Sequence, residues 1–149
     1  MLGQLDEGEI DALLRSQMFG RLGCHARGRT YIVPIAYVYA DGAIVSHSAD
    51  GLKLQMMREN PQVCFEVDRV DDLGHWQSVI LWGSFEELAG PAADHATAQL
   101  FAKLLPLTVT AHASQTPKAL TKQHRAGVEA LHAVTFRIRI SERSGRFES

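Results

Sequence analysis

Between Thr30 and Ala40 the sequence TYIVPIAYVYA is apolar at nearly every position. Strand alternation puts Tyr31, Val33, Ile35, Tyr37 and Tyr39 on one face and Ile32, Pro34, Ala36 and Val38 on the other. Both faces are apolar, so both call for cover. In a small β-barrel one face fills the interior. The other then meets a helix, a partner subunit or a flat ligand. Pro34 has no N–H to give to a ladder, so one stretch of this strand is expected to run unpaired. Its neighbouring backbone groups would then be open to a ligand.

Similar patterns mark further strands at MFGRLGCHA (18–26), AIVSHS (43–48), QVCFEVD (62–68), WQSVILWGSFEEL (76–88) and HAVTFRIRIS (132–141). Gly20 and Gly23 predict a bulge or a close backbone approach in the first of these. In the last, Val134, Phe136, Ile138 and Ile140 point in, and Thr135, Arg137 and Arg139 point out. Asp-Gly in ADGA (40–43) suits a type I′ hairpin turn, and RVDDLGH (69–75) reads as a polar loop.

Helical spacing appears three times. Residues 6–17 place Ile10, Leu13 and Leu14 on one face, with Asp6, Glu7 and Glu9 at the favourable end of the dipole. A short helix follows from about Gly51 to Glu59, ended by ENP (59–61), because a residue before proline resists helical geometry. A third helix covers about 91–105, with Ala96, Leu100 and Leu104 together. Residues 106–127 carry no readable pattern. Six strands with hairpin-like links, and no repeated βαβ unit, predict a mainly β fold. The expected architecture is a six-stranded antiparallel barrel, closed or nearly closed, with peripheral helices.

A length of 149 residues fits one domain, 1–149, with a hydrophobic core. Fifteen basic against seventeen acidic side chains give a net charge of −2. That excludes whole-protein attraction to nucleic acid or anionic membrane, so any anion site must be local. Cys24 and Cys64 have no metal-ligand spacing and lie in apolar strands, which reads as buried thiols. The N-terminus MLGQLDEGEIDALL is acidic where a signal peptide needs basic residues, and no segment approaches the roughly 18 apolar residues of a membrane span. The expected location is the cytoplasm.

The densest chemistry lies in VSHSADGLK (45–53), where His47, Ser48, Asp50, Gly51 and Lys53 fall within seven residues. A helix start exposes unpaired N–H groups and suits an anion, Gly51 permits close approach, and Lys53 opposes the dipole unless it meets a negative partner. The plainer alternative is a helix capped by Ser48 or Asp50 with a solvated lysine. His47 is either a ligand contact or a half-buried strand histidine. No metal-ligand spacing, nucleophile elbow or activated cysteine is present in the sequence. In WQSVILWG, Trp76, Ser78, Ile80 and Trp82 share one face, while Gln77, Val79 and Leu81 share the other. The polar start is either a fraying strand end or a ligand or subunit contact.

The order of GRLGC (20–24), VPIAYVY (33–39), SHSADGLKLQMMRENPQVCFEVD (46–68), WQSVILWGSFEEL (76–88) and FRIRISERSGR (136–146) resembles the split-barrel flavin-binding proteins related to pyridoxamine 5′-phosphate oxidase. Within them it is most similar to the branch holding the nitroimidazole-resistance reductases. The resemblance implies FMN held in a groove of a homodimer. Pro34, Ile35, Ala36 and Tyr37 would meet the flavin ring through the backbone. His47, Ser48 and Lys53 would hold the phosphate, and Gln77, Ser78 and Val79 would add polar contacts. Two departures stand out. Gly51-Leu52-Lys53 supplies one cation where the oxidases carry an Arg-Lys pair, and the chain ends SGRFES without their longer arginine-bearing tail. The expectation is therefore an FMN-dependent oxidoreductase with a small-molecule electron donor and acceptor, and with His47 near the ring as its candidate catalytic residue. Alternatives are a flavin storage or sensing protein without turnover, or a split barrel that binds haem or a deazaflavin.

Overall fold

The computed structural model of the chain describes residues 1–111 and 133–149. Most of the unreadable stretch 106–127, and His132 at the start of the last expected strand, fall outside them. Among the described residues there are eight strands and three helices. In chain order they are β1 Leu2–Gln4, α1 Glu7–Ser16, β2 Phe19–Ala26, β3 Arg29–Ala36, β4 Val38–Ala40, β5 Ala43–Ser48, α2 Leu52–Glu59, β6 Gln62–Asp72, β7 His75–Glu87, α3 Gly90–Ala111 and β8 Val134–Glu148.

The strands form one antiparallel sheet in the order β3-β2-β6-β7-β8-β5-β4, with β1 added to β8. The end strands β3 and β4 are consecutive in the chain, so the sheet curls back on itself. No ladder joins β3 to β5, and the barrel stays split there. Its interior is filled by Leu22, Phe65, Val67, Val79, Leu81, Phe136 and Ile138, and plugged by Leu14 of α1 with Leu54 and Met57 of α2. A smaller cluster of Val45, Ala96 and Leu100 packs α3 on the outside of β5.

Three expectations need correction. The strand expected over 30–40 breaks at Tyr37. Its N–H leaves the ladder to donate to the Met18 carbonyl at 3.1 Å, and its hydroxyl donates to the Leu14 carbonyl at 2.5 Å. The expected loop 69–75 is mostly strand, because β6 and β7 run on as one long hairpin to a turn at Leu73–Gly74. The count rises from six strands to eight through that break and through β1, whose three residues pair with Arg146, Phe147 and Glu148 at the far end of the chain.

Local chemistry accounts for the rest. Asp41 and Gly42 sit at φ +53 and +70, as the type I′ reading of ADGA required, and Arg27–Gly28 makes a second turn of the same kind. At Gly20 a Cβ would lie 2.2 Å from Cζ of Phe65, so the close approach expected there is occupied by that ring. Arg137 and Arg139 point away from the core as expected, but both grip Glu86. Their Nε atoms donate to its carboxylate at 3.0 and 2.5 Å and hold its pKa down to about 2.

Candidate functional site

The turn from Ser48 to Lys53 joins β5 to α2 beside the split in the barrel. The expected side-chain caps are absent. Gly51 is the N-cap of α2 and, among the described residues, no side chain bonds the first turn. Ser48 is buried, and its Oγ donates to the Ala49 carbonyl at 2.8 Å. Asp50 is drawn away by Arg58, whose Nη1 donates to Oδ1 at 2.9 Å. The amides at the start of α2 therefore keep their donors and their share of positive dipole. Lys53, half-buried in that first turn, has no ion pair among the described residues. A lone cation against the positive end of a helix is electrostatically unfavourable unless an anion completes it.

β3 supplies the second wall. Among the described residues it is paired on one side only, by β2, with Pro34 opposite Arg21 and Ile35 opposite Gly20. Its other edge is the unpaired stretch that Pro34 implied. Part of the expected backbone contact set is already engaged, however. The Ala36 carbonyl accepts from Ser46 Oγ at 2.7 Å, and the Tyr37 N–H is held by Met18. Pro34 and Ile35 remain as the expected ring contacts with the open edge beside them.

The structure separates His47 from Ser48. Strand alternation turns Ser46 and Ser48 into the barrel and His47 outward against α3. There its ring meets that of Phe101 with centroids 6.2 Å apart. Gln77, Ser78 and Val79 lie on β7, with β2 and β6 between them and β3. Three strand spacings put them about 14 Å away along one sheet. Val79 is buried in the core, and Ser78 faces out, donating to Glu66 Oε1 at 3.1 Å. Burial pushes the Glu66 carboxyl above its ordinary range, and the neighbouring Asp68 charge adds to the effect. One copy of the chain thus brings Pro34, Ile35, Ser48 and Lys53 to the split, and leaves Ser78 on the outer sheet face and Gln77 on the opposite face with Val79.

That outer face exposes several large apolar side chains beside the ion pairs of Arg21 with Glu66 and Asp68. Phe19 is 53% exposed, Ile32 66%, Val70 63% and Trp82 40%. A broad concavity of about 590 Å³, lined by Gly23, Ile32, Cys64 and Trp82 among others, runs across it. Cys24 and Cys64 are both free thiols. Cys24 is buried, while Cys64 is only half-buried on this face, against the expectation of two buried thiols. Burial raises the pKa of both. Spacing alone did not single out Lys103. It reaches from α3 to donate to the Gln17 carbonyl at 2.6 Å, with Nζ 4.2 Å from the centre of the Tyr37 ring. Burial pulls its pKa down to about 8.

Residues 6–147 match the model of the family described as pyridoxamine 5′-phosphate oxidase. The chain belongs to that family. Among solved structures, a FAD-binding protein from Mesorhizobium loti superposes with a TM-score of 0.77 at 27% identity, covering 100% of this chain and 98% of that one. A FAD-binding protein from Mycobacterium smegmatis gives 0.63 at 22% identity, covering 98% of each chain. A candidate 5-nitroimidazole antibiotic resistance protein from Bacteroides thetaiotaomicron gives 0.71 at 16%, covering 99% of this chain and 87% of that one. The last two speak for the fold alone. An uncharacterized protein of Rhizobium meliloti is 29% identical over 87 residues, a match spanning 58% of each chain. The family's split-barrel fold and the flavin-binding character of its structural neighbours agree with the resemblance read from the sequence. No helix among the described residues is long and apolar enough to cross a membrane.

Proposed function

We propose that this chain is a flavin-dependent oxidoreductase of the cytoplasm, one domain over 1–149. In this reading it holds an FMN group at the split of its barrel and works as a homodimer. The observation that carries it is Lys53, a half-buried cation without an ion pair among the described residues, at a helix start that no side chain caps. Lys53 and the amides of α2 would hold the flavin phosphate, and the open edge of β3 at Pro34 and Ile35 would meet the ring. When bound, the flavin supplies the electron transfer, and the protein supplies orientation and electrostatics. The FAD-binding neighbours support a flavin in mononucleotide or dinucleotide form.

The apolar outer face supports the second copy. A partner laid on Phe19, Ile32 and Trp82 would cover them and bring its own Gln77 and Ser78 toward the open edge of β3. His47, turned against α3, is a positioning candidate through Phe101 rather than a group aimed at the ring. Electrons would come from a reduced nicotinamide or another small donor and pass to a small acceptor such as a quinone or nitro compound.

The test is the visible absorbance of the purified protein, with chromatography of the released chromophore and steady-state oxidation of a reduced nicotinamide with added acceptors. A flavin spectrum with turnover is the expected result. A flavin without turnover would leave a storage or sensing protein, and a haem Soret band would sink the flavin assignment. In sedimentation velocity the wild type is expected to run as a dimer and Ile32→Glu as a monomer.

A further inference from the structure

A cleft of about 130 Å³ opens between α2 and the start of β3, next to the phosphate turn. One wall is the α2 stripe Leu52, Gln55, Met56 and Glu59, and the facing wall includes Arg29 and Tyr31. Its volume is well below the roughly 300–1,000 Å³ of a pocket that swallows a whole drug-sized ligand, so it suits a single ring system. Its composition is that of a base site. Tyr31 and Met56 offer apolar surface, and the exposed Gln55 amide offers both a donor and an acceptor.

Arg27 and Arg29 line the cleft, and Lys53 sits in the first turn of the helix that walls it. Arg27 is committed to Glu59 by an ion pair. Arg29 has no ion pair among the described residues, and neither has Lys53, which follows Leu52 on the same helix. A mononucleotide brings one phosphate to such a place and needs one cation. Two linked phosphates would give each of these cations a partner. We propose that the cleft takes the nucleoside end of a flavin dinucleotide, with Lys53 on the flavin's own phosphate, Arg29 on the second, and the base between Tyr31 and the Leu52–Met56 stripe. The assignment rests on the flavin reading above and narrows its cofactor.

The experiment titrates FMN and FAD, each followed by flavin fluorescence, into full-length protein stripped of its flavin. FAD is expected to bind at least tenfold more tightly than FMN. Arg29→Ala should erase that difference while leaving FMN affinity unchanged. Gln55→Trp, which fills the cleft from an exposed helix position, should do the same. Equal affinities in the wild type, or an Arg29→Ala variant that weakens both flavins alike, would overturn the base site and leave the flavin reading standing. A wild-type protein that binds neither flavin would overturn both.

Discussion

Helices α1 and α2 begin in opposite ways. At α1, Asp6 Oδ1 accepts from the Glu9 amide at 2.8 Å and Glu9 Oε2 accepts from the Asp6 amide at 2.8 Å, a complete capping box. The charges there are also settled. Arg143 pairs with Glu7 and donates to Asp11 Oδ1 at 2.7 Å, and the Tyr39 hydroxyl donates to the same carboxylate oxygen at 2.9 Å. At α2 the cap is a glycine without a side-chain bond, the first turn carries no acidic residue, and its lysine has no ion pair among the described residues. Both starts belong to one core, so packing alone does not explain the contrast. The difference is that α1 closes its start with its own side chains, whereas the flavin reading assigns the open donors of α2 to a phosphate.

The sharpest way to break that contrast is Lys53→Ala. If the α2 start holds a phosphate, the variant loses a charge-assisted contact of about 1.5–3 kcal/mol, a drop in flavin affinity of roughly ten- to a hundredfold. Its thermal midpoint without flavin should hardly move, since the removed cation had no ion pair among the described residues to lose. Unchanged flavin affinity, measured by fluorescence titration, would put α2 on the same footing as α1. The mirror experiment is Asp6→Ala. It should cost about 1 kcal/mol of unfolding free energy in denaturant titration and leave flavin affinity alone, because it removes a cap and touches no ligand.

How far the contrast was legible in the sequence depends on the range of the interactions. The apolar two-faced strand 30–40, the Asp-Gly turn and the ENP stop are local, and each was visible as a pattern. β1 was not, because Leu2–Gln4 is a strand only by pairing with residues about 140 positions away. The tail ISERSGRFE has little apolar alternation and becomes strand by lying along β7. At the site, the helix start and Lys53 were legible, since both follow from residue types in one short stretch. The caps were misread, because Asp50 is taken by Arg58, and Arg58 is itself held by Glu87 from another strand. The side of β5 that His47 faces is not legible for a related reason. Alternation fixes that it opposes Ser48, but only the packing of α3 shows which side faces the barrel.

A smaller effect should separate the two helix starts in acid. The Arg143 guanidinium and the Tyr39 hydroxyl hold the Asp11 carboxyl below its ordinary pKa. A carboxyl depressed on folding contributes stability that is present in full above its unfolded value near 4. That stability is lost as pH falls through the folded value. The site is partly open to solvent, so the contribution is modest. Asp11→Asn should therefore flatten the decline in stability below about pH 4, with no change in flavin affinity at neutral pH. An acid unfolding curve that keeps its full slope in the variant would show that the α1 charges are decoration.

The finest test gives α2 the cap it lacks. Gly51 has extended backbone, φ −134°, and a Cβ built there finds its nearest neighbour 3.9 Å away, so a side chain fits without strain. Gly51→Ser would place a hydroxyl where it can accept from the first-turn amides, and should stabilise the protein by a few tenths of a kcal/mol. The same hydroxyl would occupy the donors that the flavin reading assigns to the phosphate, so on that reading flavin affinity should fall as stability rises. Gly51→Asp should sharpen the trade, because a fixed carboxylate neutralises Lys53 and repels a phosphate as well as capping the helix. Opposite movement of the two quantities is the signature of a helix start kept open for a ligand. If both rise together, the missing cap at α2 is an ordinary imperfection, and the contrast with α1 carries no functional meaning.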